Sequence, residues 1–294
     1  MKVAIYGRVF KKETSDFIQG MFDTLYQNDV EYITEELYLA QCVANHIKVK
    51  CTNTFSGKTE ILQAGIDFFI VIGGDGTMLD SLVYMHGTAI PVIGINTGRL
   101  GFLTGENKTD FKKVVQQLLK GHYTLDARST LKLESNVPLF EGITFALNDF
   151  VIHKKDSSSM MRIHTYINGE FLNSYWSDGL IVSTPTGSTG YSLSCGGPIL
   201  YPGASSLVIT PIAPHNLNVR PMVLSDDSIL SFEIEDRSTS FLVSLDSRSE
   251  TIDSKVQLAI RKADFGFNLV KFNNENYLTT LRTKLMWGID NRNA

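Results

Sequence analysis

The spacing of hydrophobic and polar residues changes once along the chain, near residue 126, and the change divides it. Before that point short apolar runs alternate with helical spacings. Residues 3–6 (VAIY) are an apolar run that stops at Gly7. Thr14 or Ser15 can cap a helix whose apolar face is Phe17, Ile18, Met21, Phe22 and Leu25, spaced as one helix stripe. A second strand is expected over 30–33 and a second helix over 35–44. Phe68–Ile72 (FFIVI) is a continuous apolar run of strand length that ends at Gly73. Such a run fits a strand buried on both faces of a parallel sheet. A helix over 77–85, a strand over 91–95 and a helix over 110–119 ending at Gly121 follow. Strand and helix in turn predict an α/β layered domain over 1–126.

From 127 to 272 strict alternation takes over. Leu131 and Leu133 are followed by 229–234 (ILSFEI), 241–245 (FLVSL) and 256–260 (VQLAI). Short alternating segments between polar turns read as antiparallel strands with one buried face, so the second domain is expected to be all-β. In the last segment, 273–294, Tyr277, Leu278, Leu281, Leu285 and Met286 fall at helical spacing. They predict a helix that packs back on the first domain.

Composition supports two ordinary cores: the 294 residues are 43% hydrophobic and 20% charged. Lys and Arg number 27 against 31 Asp and Glu, a net charge of −4. A general nucleic-acid or acidic-membrane binder would carry a basic excess, so neither partner is expected. No apolar run approaches the ~20 residues needed to cross a bilayer, and the N-terminus does not read as a signal peptide. Cys42, Cys51 and Cys195 make no disulfide framework, which fits a reducing cytoplasm.

Three segments could carry chemistry. Residues 73–77 (GGDGT) directly follow the buried strand and precede a helix. Glycine lets the backbone turn sharply and approach a ligand, and a helix start offers free N–H groups to an anion. Asp75 is the one carboxylate there. It makes sense beside phosphate if a metal lies between them or if it faces a hydroxyl nucleophile; otherwise the segment is a turn with Asp75 as helix cap. Between 183 and 194 there are seven Ser or Thr residues plus Tyr191, a density suited to a ligand rich in hydroxyls and phosphates, or a solvated loop. Asn148 and Asp149 form an amide–carboxylate pair that can bracket a ribose diol, or an Asx turn. The standard nucleotide motifs fail: Thr52 stands where a P-loop ending in Gly57-Lys58-Thr59 needs glycine, and Leu79 breaks a dinucleotide fingerprint on Gly74 and Gly76. His46, His86, His122, His153, His164 and His215 show no metal spacing, and no residue is assigned to a metal.

Together these segments resemble the NAD kinase family. The resemblance rests on 73–77, on 94–104 (GINTGRLGFLT), on Asn148-Asp149, on 178–198 (DGLIVSTPTGSTGYSLSCGGP), on 209–221 (ITPIAPHNLNVRP) and on Asp246-Ser247. It implies transfer of the γ-phosphate of ATP to the adenosine 2′-hydroxyl of NAD, with Mg²⁺ or another divalent ion. It also implies a Rossmann-like N-terminal domain, a β-sandwich-like C-terminal domain and a homo-oligomer, dimer or tetramer. By resemblance Asp75 is the catalytic carboxylate, flanked by Gly74 and Gly76. Asn148 and Asp149 hold the adenine-side ribose, and Asp178 lies near the nicotinamide amide. Thr189, Gly190, Tyr191, Ser192, Leu193 and Ser194 form the substrate loop. Ala213 lines the same cleft, and Ser159 and Arg248 fall at ligand-contact positions. The chain departs from the family at Asp149, where Glu is commoner, at Gly190 and Cys195, where Ala is frequent, and at Trp176, where many bacterial members carry Arg. Two other readings stay open on the residues: a kinase acting on a lipid or sugar, and a dinucleotide-binding sensor without turnover.

Overall fold

A computed structural model describes residues 1–51, 53–98, 101–104, 106–107, 111–155, 161–235, 240–272 and 276–287. The chain forms two compact units, Met1–Asp126 with Asn268–Ala294, and Ala127–Phe267.

The first unit is an α/β layer. Its strands are Lys2–Gly7 (β1), Glu31–Glu35 (β2), Thr54–Phe55 (β3), Phe68–Ile72 (β4), Val92–Asn96 (β5) and Glu106–Asn107 (β6). Its helices up to residue 126 are Ser15–Gln27 (α1), Glu36–Ala44 (α2), Lys58–Ala64 (α3), Asp75–Asp80 (α4), Leu82–Met85 (α5) and Phe111–Leu119 (α6). The strands are parallel in the order β5-β4-β1-β2-β3, with β6 beside β5. β4 and β5 are buried throughout because helices cover both faces. The helix α6 buries Phe111, Val114, Val115 and Leu118, an i, i+3, i+4, i+7 stripe. The helix expected over 77–85 begins two residues early and divides at Ser81, whose buried hydroxyl donates to the Met78 carbonyl at 2.7 Å. The false P-loop resolves as a helix start: the Gly57 N–H donates to the Glu60 carboxylate at 3.0 Å as α3 begins. The strand order reverses between β1 and β4, the switch point at which open α/β sheets bind ligands outside the carboxyl ends of their strands. Residues 73–77 leave the carboxyl end of β4 there.

The second unit is all-β apart from short helical turns. Its strands are Thr124–Ser135 (β7), Phe145–Ala146 (β8), Asp149–Lys154 (β9), Met161–Ile167 (β10), Glu170–Ser177 (β11), Gly179–Ser183 (β12), Ser206–Ile212 (β13), Met222–Ser225 (β14), Leu230–Glu235 (β15), Ser240–Leu245 (β16), Arg248–Asp253 (β17) and Leu258–Lys271 (β18). One sheet runs β14-β13-β12-β9-β16-β17, antiparallel throughout. The other contains β11-β10-β15-β18, with β7 on β18 and β8 on β7. Their inner faces share one core, including Phe150, Ile152, Leu180, Val182, Ile163, Phe232, Phe241, Val243 and Ile260, which makes the unit sandwich-like. β15 and β16 show the expected alternation. β12 is buried at every residue, because Val151, Ile181 and Ile212 on the outer face are covered by Cys195, just past the helix Tyr191–Ser194 (α7).

The chain returns to the first unit at Asn268, where Leu269 pairs in parallel with Val92. The helix Tyr277–Leu285 (α8) follows, its start capped by the Asn276 side chain, which accepts from the Leu278 N–H at 2.9 Å.

Candidate functional site

In the first unit the site grows from the end of β4. A Cβ at Gly73 would lie 2.3 Å from the Thr77 hydroxyl, so only glycine fits there. Gly74 is the N-cap of α4 and Asp75 its first residue. Asp75 does not cap its own helix. Its side chain crosses to the segment after β5, where the Phe102 N–H donates to Oδ2 at 2.7 Å. The Leu103 N–H donates to Oδ1 at 3.0 Å, and the Thr104 N–H and hydroxyl each donate to Oδ1 at 3.1 Å. Thr104 is itself held by the Asn96 amide at 3.1 Å. The approach is so close that a Cβ at Gly101 would fall 1.9 Å from Oδ1.

The carboxylate is therefore well partnered. Four donors fix it, and bonds to a carboxylate are the stronger kind. Lys284 of α8 adds a cation 3.5 Å from Oδ2, with its Nζ 4.4 Å over the Phe102 ring. A carboxylate has about four acceptor sites. Oδ1 takes three donors and Oδ2 only one, so Oδ2 keeps acceptor capacity, and the side chain remains 28% exposed. A Cβ at Gly74 or Gly76 would meet nothing within 4 Å, so both face open space.

In the second unit the Ser/Thr-rich segment is not a solvated loop. Ser183, Thr184, Ser188 and Ser192 are fully buried, and their hydroxyls hold the fold. Thr184 donates to the Leu147 carbonyl at 2.6 Å, and its N–H donates to the Asn148 carbonyl at 2.9 Å. Ser192 pairs with Thr210 at 2.8 Å. Buried Arg128 donates to the Thr186 hydroxyl at 3.2 Å. These bonds bring the segment against Asn148 and Asp149, closely enough that a Cβ at Gly187 would lie 2.2 Å from the Asn148 carbonyl oxygen. Thr189 and Gly190 are half-buried, and Tyr191 and Ser194 are exposed. The Asn148 Oδ1 is buried without a partner, an acceptor left open.

Asp149 is buried, and its carboxyl is pushed up to about 7, chiefly by burial and then by the charge of Asp246. Asp246 turns its carboxylate inward, where burial raises it to about 6 against the pull of three backbone N–H bonds and Arg248. An acid whose folded pKa lies above the unfolded value of about 3.9 adds stability that is complete below that value and is lost as pH rises through the folded pKa. The melting temperature is therefore expected to carry a falling contribution between about pH 4 and pH 7, and Asp149→Asn to flatten the fall. Thermal melts across that window check it, and an equally steep slope in the variant would remove Asp149 as the source.

Asp178 stands elsewhere. The β9–β12 pairing sets Asp149 opposite Ser183 and His153 opposite Gly179. Asp149 and Lys154 thus mark opposite ends of β9, roughly 17 Å apart at strand rise. Lys154 pairs with Asp178 at 2.6 Å. Ala213, exposed with a left-handed φ of 44°, follows Ile212, whose carbonyl accepts from the Asp178 N–H. Burial first, then Cys195, Asp149 and Asp178, raise the Tyr191 phenol, so its hydroxyl feels both ends. Trp176 is half exposed and carries the Arg162 guanidinium 4.1 Å over its ring, a cation supplied by the neighbouring strand. The Arg248 guanidinium donates to the carbonyls of Ile143 and Phe145 and lies over Phe140. Ser159 lies outside the described residues.

Sequence reasoning missed Lys284, Lys154 and Arg128, since a lone cation carries no spacing signal. It also missed the donors to Asp75. Their trace was the glycine-rich segment after β5, noted without a role.

The chain matches the family models described as ATP-NAD kinase N-terminal domain, over residues 3–123, and ATP-NAD kinase C-terminal domain, over residues 147–272. It is 48% identical to an NAD kinase of Cytophaga hutchinsonii and 43% identical to one of Flavobacterium psychrophilum, each alignment covering all of both chains. The crystal structure of yeast NADH kinase complexed with NADH has the same fold. Its TM-score is 0.89 at 23% identity, covering 98% of this chain and 88% of that one.

Proposed function

The chain belongs to the NAD kinase family and phosphorylates NAD to NADP with ATP; on that premise we propose that Asp75 is the group that meets the adenosine 2′-hydroxyl. The observation that carries this role is the fixed carboxylate whose Oδ2, with a single backbone donor, keeps acceptor capacity at the switch point of the parallel sheet. There Oδ2 accepts the hydrogen bond of the 2′-hydroxyl and orients its oxygen toward the γ-phosphorus. As the new O–P bond forms and the bond to the β,γ-bridging oxygen breaks, the hydroxyl proton passes to Asp75 and ADP leaves. Positioning and charge do most of the work in such a transfer. Gly74 and Gly76 leave room for the phosphates.

Asn148 and Asp149 hold the ribose, with Thr189, Gly190, Tyr191, Leu193 and Ser194 lining the coenzyme and Asp178 and Ala213 at the nicotinamide end. Ser192 and Arg248 support the fold, since their polar groups are bonded within it. Mg²⁺ would arrive on the phosphates of ATP and would supply charge neutralisation there. No three His, Cys, Asp or Glu gather into a metal cage among the described residues, and Mg²⁺ characteristically binds through substrate phosphates and few carboxylates. Lys284 supplies positive charge beside the transferred phosphoryl group. Lys284→Met is expected to lower kcat by roughly tenfold with KM for NAD little changed, a partly exposed cation counting for less than a buried oxyanion donor; an unchanged kcat would assign Lys284 to packing only.

No helix among the described residues is long and apolar enough to cross a membrane. Three free cysteines fit a cytoplasmic location. A dimer or tetramer is supported by the exposed apolar residues Met222 and Val223 on the edge strand β14 and by Leu217 before it; light scattering on the purified chain decides between assembly and monomer.

The test of function is incubation with NAD, ATP and Mg²⁺, with NADP read by glucose-6-phosphate dehydrogenase. NADP formation is expected. Phosphate passing to diacylglycerol or a sugar instead of NAD would favour a different acceptor, and tight NADP binding without turnover would favour a sensor.

A further inference from the structure

We propose that Asp246 is a positioning residue for the coenzyme site, its carboxylate fixing the backbone that presents Asn148 and Asp149 to the ribose. The proposal rests on the reading of Asn148 and Asp149 given above and deepens it.

The backbone polar groups around Asn148 can be accounted for one by one. The N–H groups of Leu147 and Asn148 donate to Asp246 Oδ2 and Oδ1, each at 2.8 Å, and the Asp149 N–H donates to Oδ1 at 3.2 Å. The Leu147 carbonyl accepts from the Thr184 hydroxyl, and the Asn148 carbonyl from the Thr184 N–H and the Ser183 hydroxyl. The Asp149 carbonyl accepts from the Asp246 N–H at 3.1 Å, which closes a reciprocal lock. Every main-chain group of the turn is thus bound within the protein. Only the side chains of Asn148 and Asp149 are left for a ligand, and the Asn148 Oδ1 has no partner.

Asp246 is held for this task at some conformational cost. It follows β16 with a φ of 54°, a left-handed conformation that Asp tolerates better than most residues. Three converging N–H groups need acceptor capacity on both oxygens, which a carboxylate has and an amide lacks. A side chain serving the fold alone would leave the ionisation of Asp149 untouched, but Asp246 does not. Its charge is the second cause of the raised Asp149 carboxyl, after burial. The other groups in this field are Arg248 at the start of β17, which pulls Asp246 down, and Tyr191 on α7, whose hydroxyl feels Asp149.

The experiment uses the full-length enzyme at saturating magnesium–ATP, with NAD titrated between pH 5.5 and 9. In Asp246→Asn the expected result is a roughly tenfold rise in KM for NAD, the scale of losing a satisfied buried bond, with KM for ATP changed less than about twofold. The limb of the kcat/KM profile that belongs to Asp149 is expected to move to lower pH by about half a unit or more, because a like charge has gone. Equal changes in both KM values, or a pH profile that stays in place, would overturn the proposal. If Asp246→Asn does not fold, Asp149→Asn carries the test: the limb is expected to vanish, and a limb kept at its wild-type position would overturn it. Wild-type enzyme making no NADP at all would instead sink the functional reading, whatever Asp246 does.

Discussion

Asp75→Asn is expected to lower turnover by at least ~10²-fold, the low end for a positioned acid–base group. Asparagine matches the shape of aspartate but offers one acceptor oxygen in place of two. Its NH₂ must face either the Phe102 N–H or the Leu103 and Thr104 donors, so at least one donor loses its partner, at a cost of about 1–3 kcal/mol where the site is buried. The variant therefore loses some local order as well as the proton acceptor. The two effects separate by measurement. Loss of order acts on the melting temperature and on KM, whereas loss of the acceptor acts on kcat. Thr104→Val removes one donor and leaves the carboxylate, so it provides the comparison, with a much smaller fall in kcat expected. Turnover of Asp75→Asn within a few-fold of wild type would take Asp75 out of the mechanism.

Gly187→Ala is expected to cost about 2–3 kcal/mol in stability, the range for overpacking a filled site, and to raise KM for NAD. The added methyl would lie 2.2 Å from the Asn148 carbonyl oxygen and 2.5 Å from its carbon. Both are backbone atoms, and the oxygen already accepts from the Ser183 hydroxyl and the Thr184 N–H, so no side chain can swing aside to make room. Either the Ser/Thr-rich segment or the Asn148 turn must move, and both belong to the proposed coenzyme site. Gly190→Ala is the control. There the nearest atom, the Gly187 carbonyl oxygen, is 3.2 Å away, and a shift of a few tenths of an ångström accommodates the methyl. Calorimetry and NAD titration of the two variants should separate them clearly. Similar losses in both would show that the close approach at Gly187 has no special weight.

The sequence was most readable where burial is simple. Phe68–Ile72 is apolar at every position because helices cover both faces of its sheet, and it appears as a strand with the bounds the pattern implied. The alternating segments at 229–234 and 241–245 likewise lie within or beside β15 and β16, which bury one face each. The strand Gly179–Ser183 was read as a motif instead, because a short fully buried run has no period of its own. The hydroxyls that follow it misled in another way. Their number indicated a polar ligand, yet those of Thr184, Ser188 and Ser192 are buried and bonded within the protein, to Leu147, to Pro185 and to Thr210 of β13. What composition could not convey was which hydroxyls face inward.

The chemistry of the site was legible in its residue types more than in its partners. Asp75 stood out because it is the one carboxylate in a glycine turn after a buried strand. Its four donors come from Phe102, Leu103 and Thr104, and its neighbouring cation from Lys284, more than two hundred residues along. Asp246 lies about a hundred residues from the turn it holds. Contacts of that kind are made by the tertiary fold, and no local spacing announces them.

A crystal structure with NAD bound tests the central claim most directly. The account predicts that Asp75 Oδ2 lies within hydrogen-bonding reach of the adenosine 2′-oxygen, about 2.6–3.2 Å, while Oδ1 keeps its donors from Leu103 and Thr104. A complex in which that oxygen lies far from the carboxylate, with no open path between them, would contradict it.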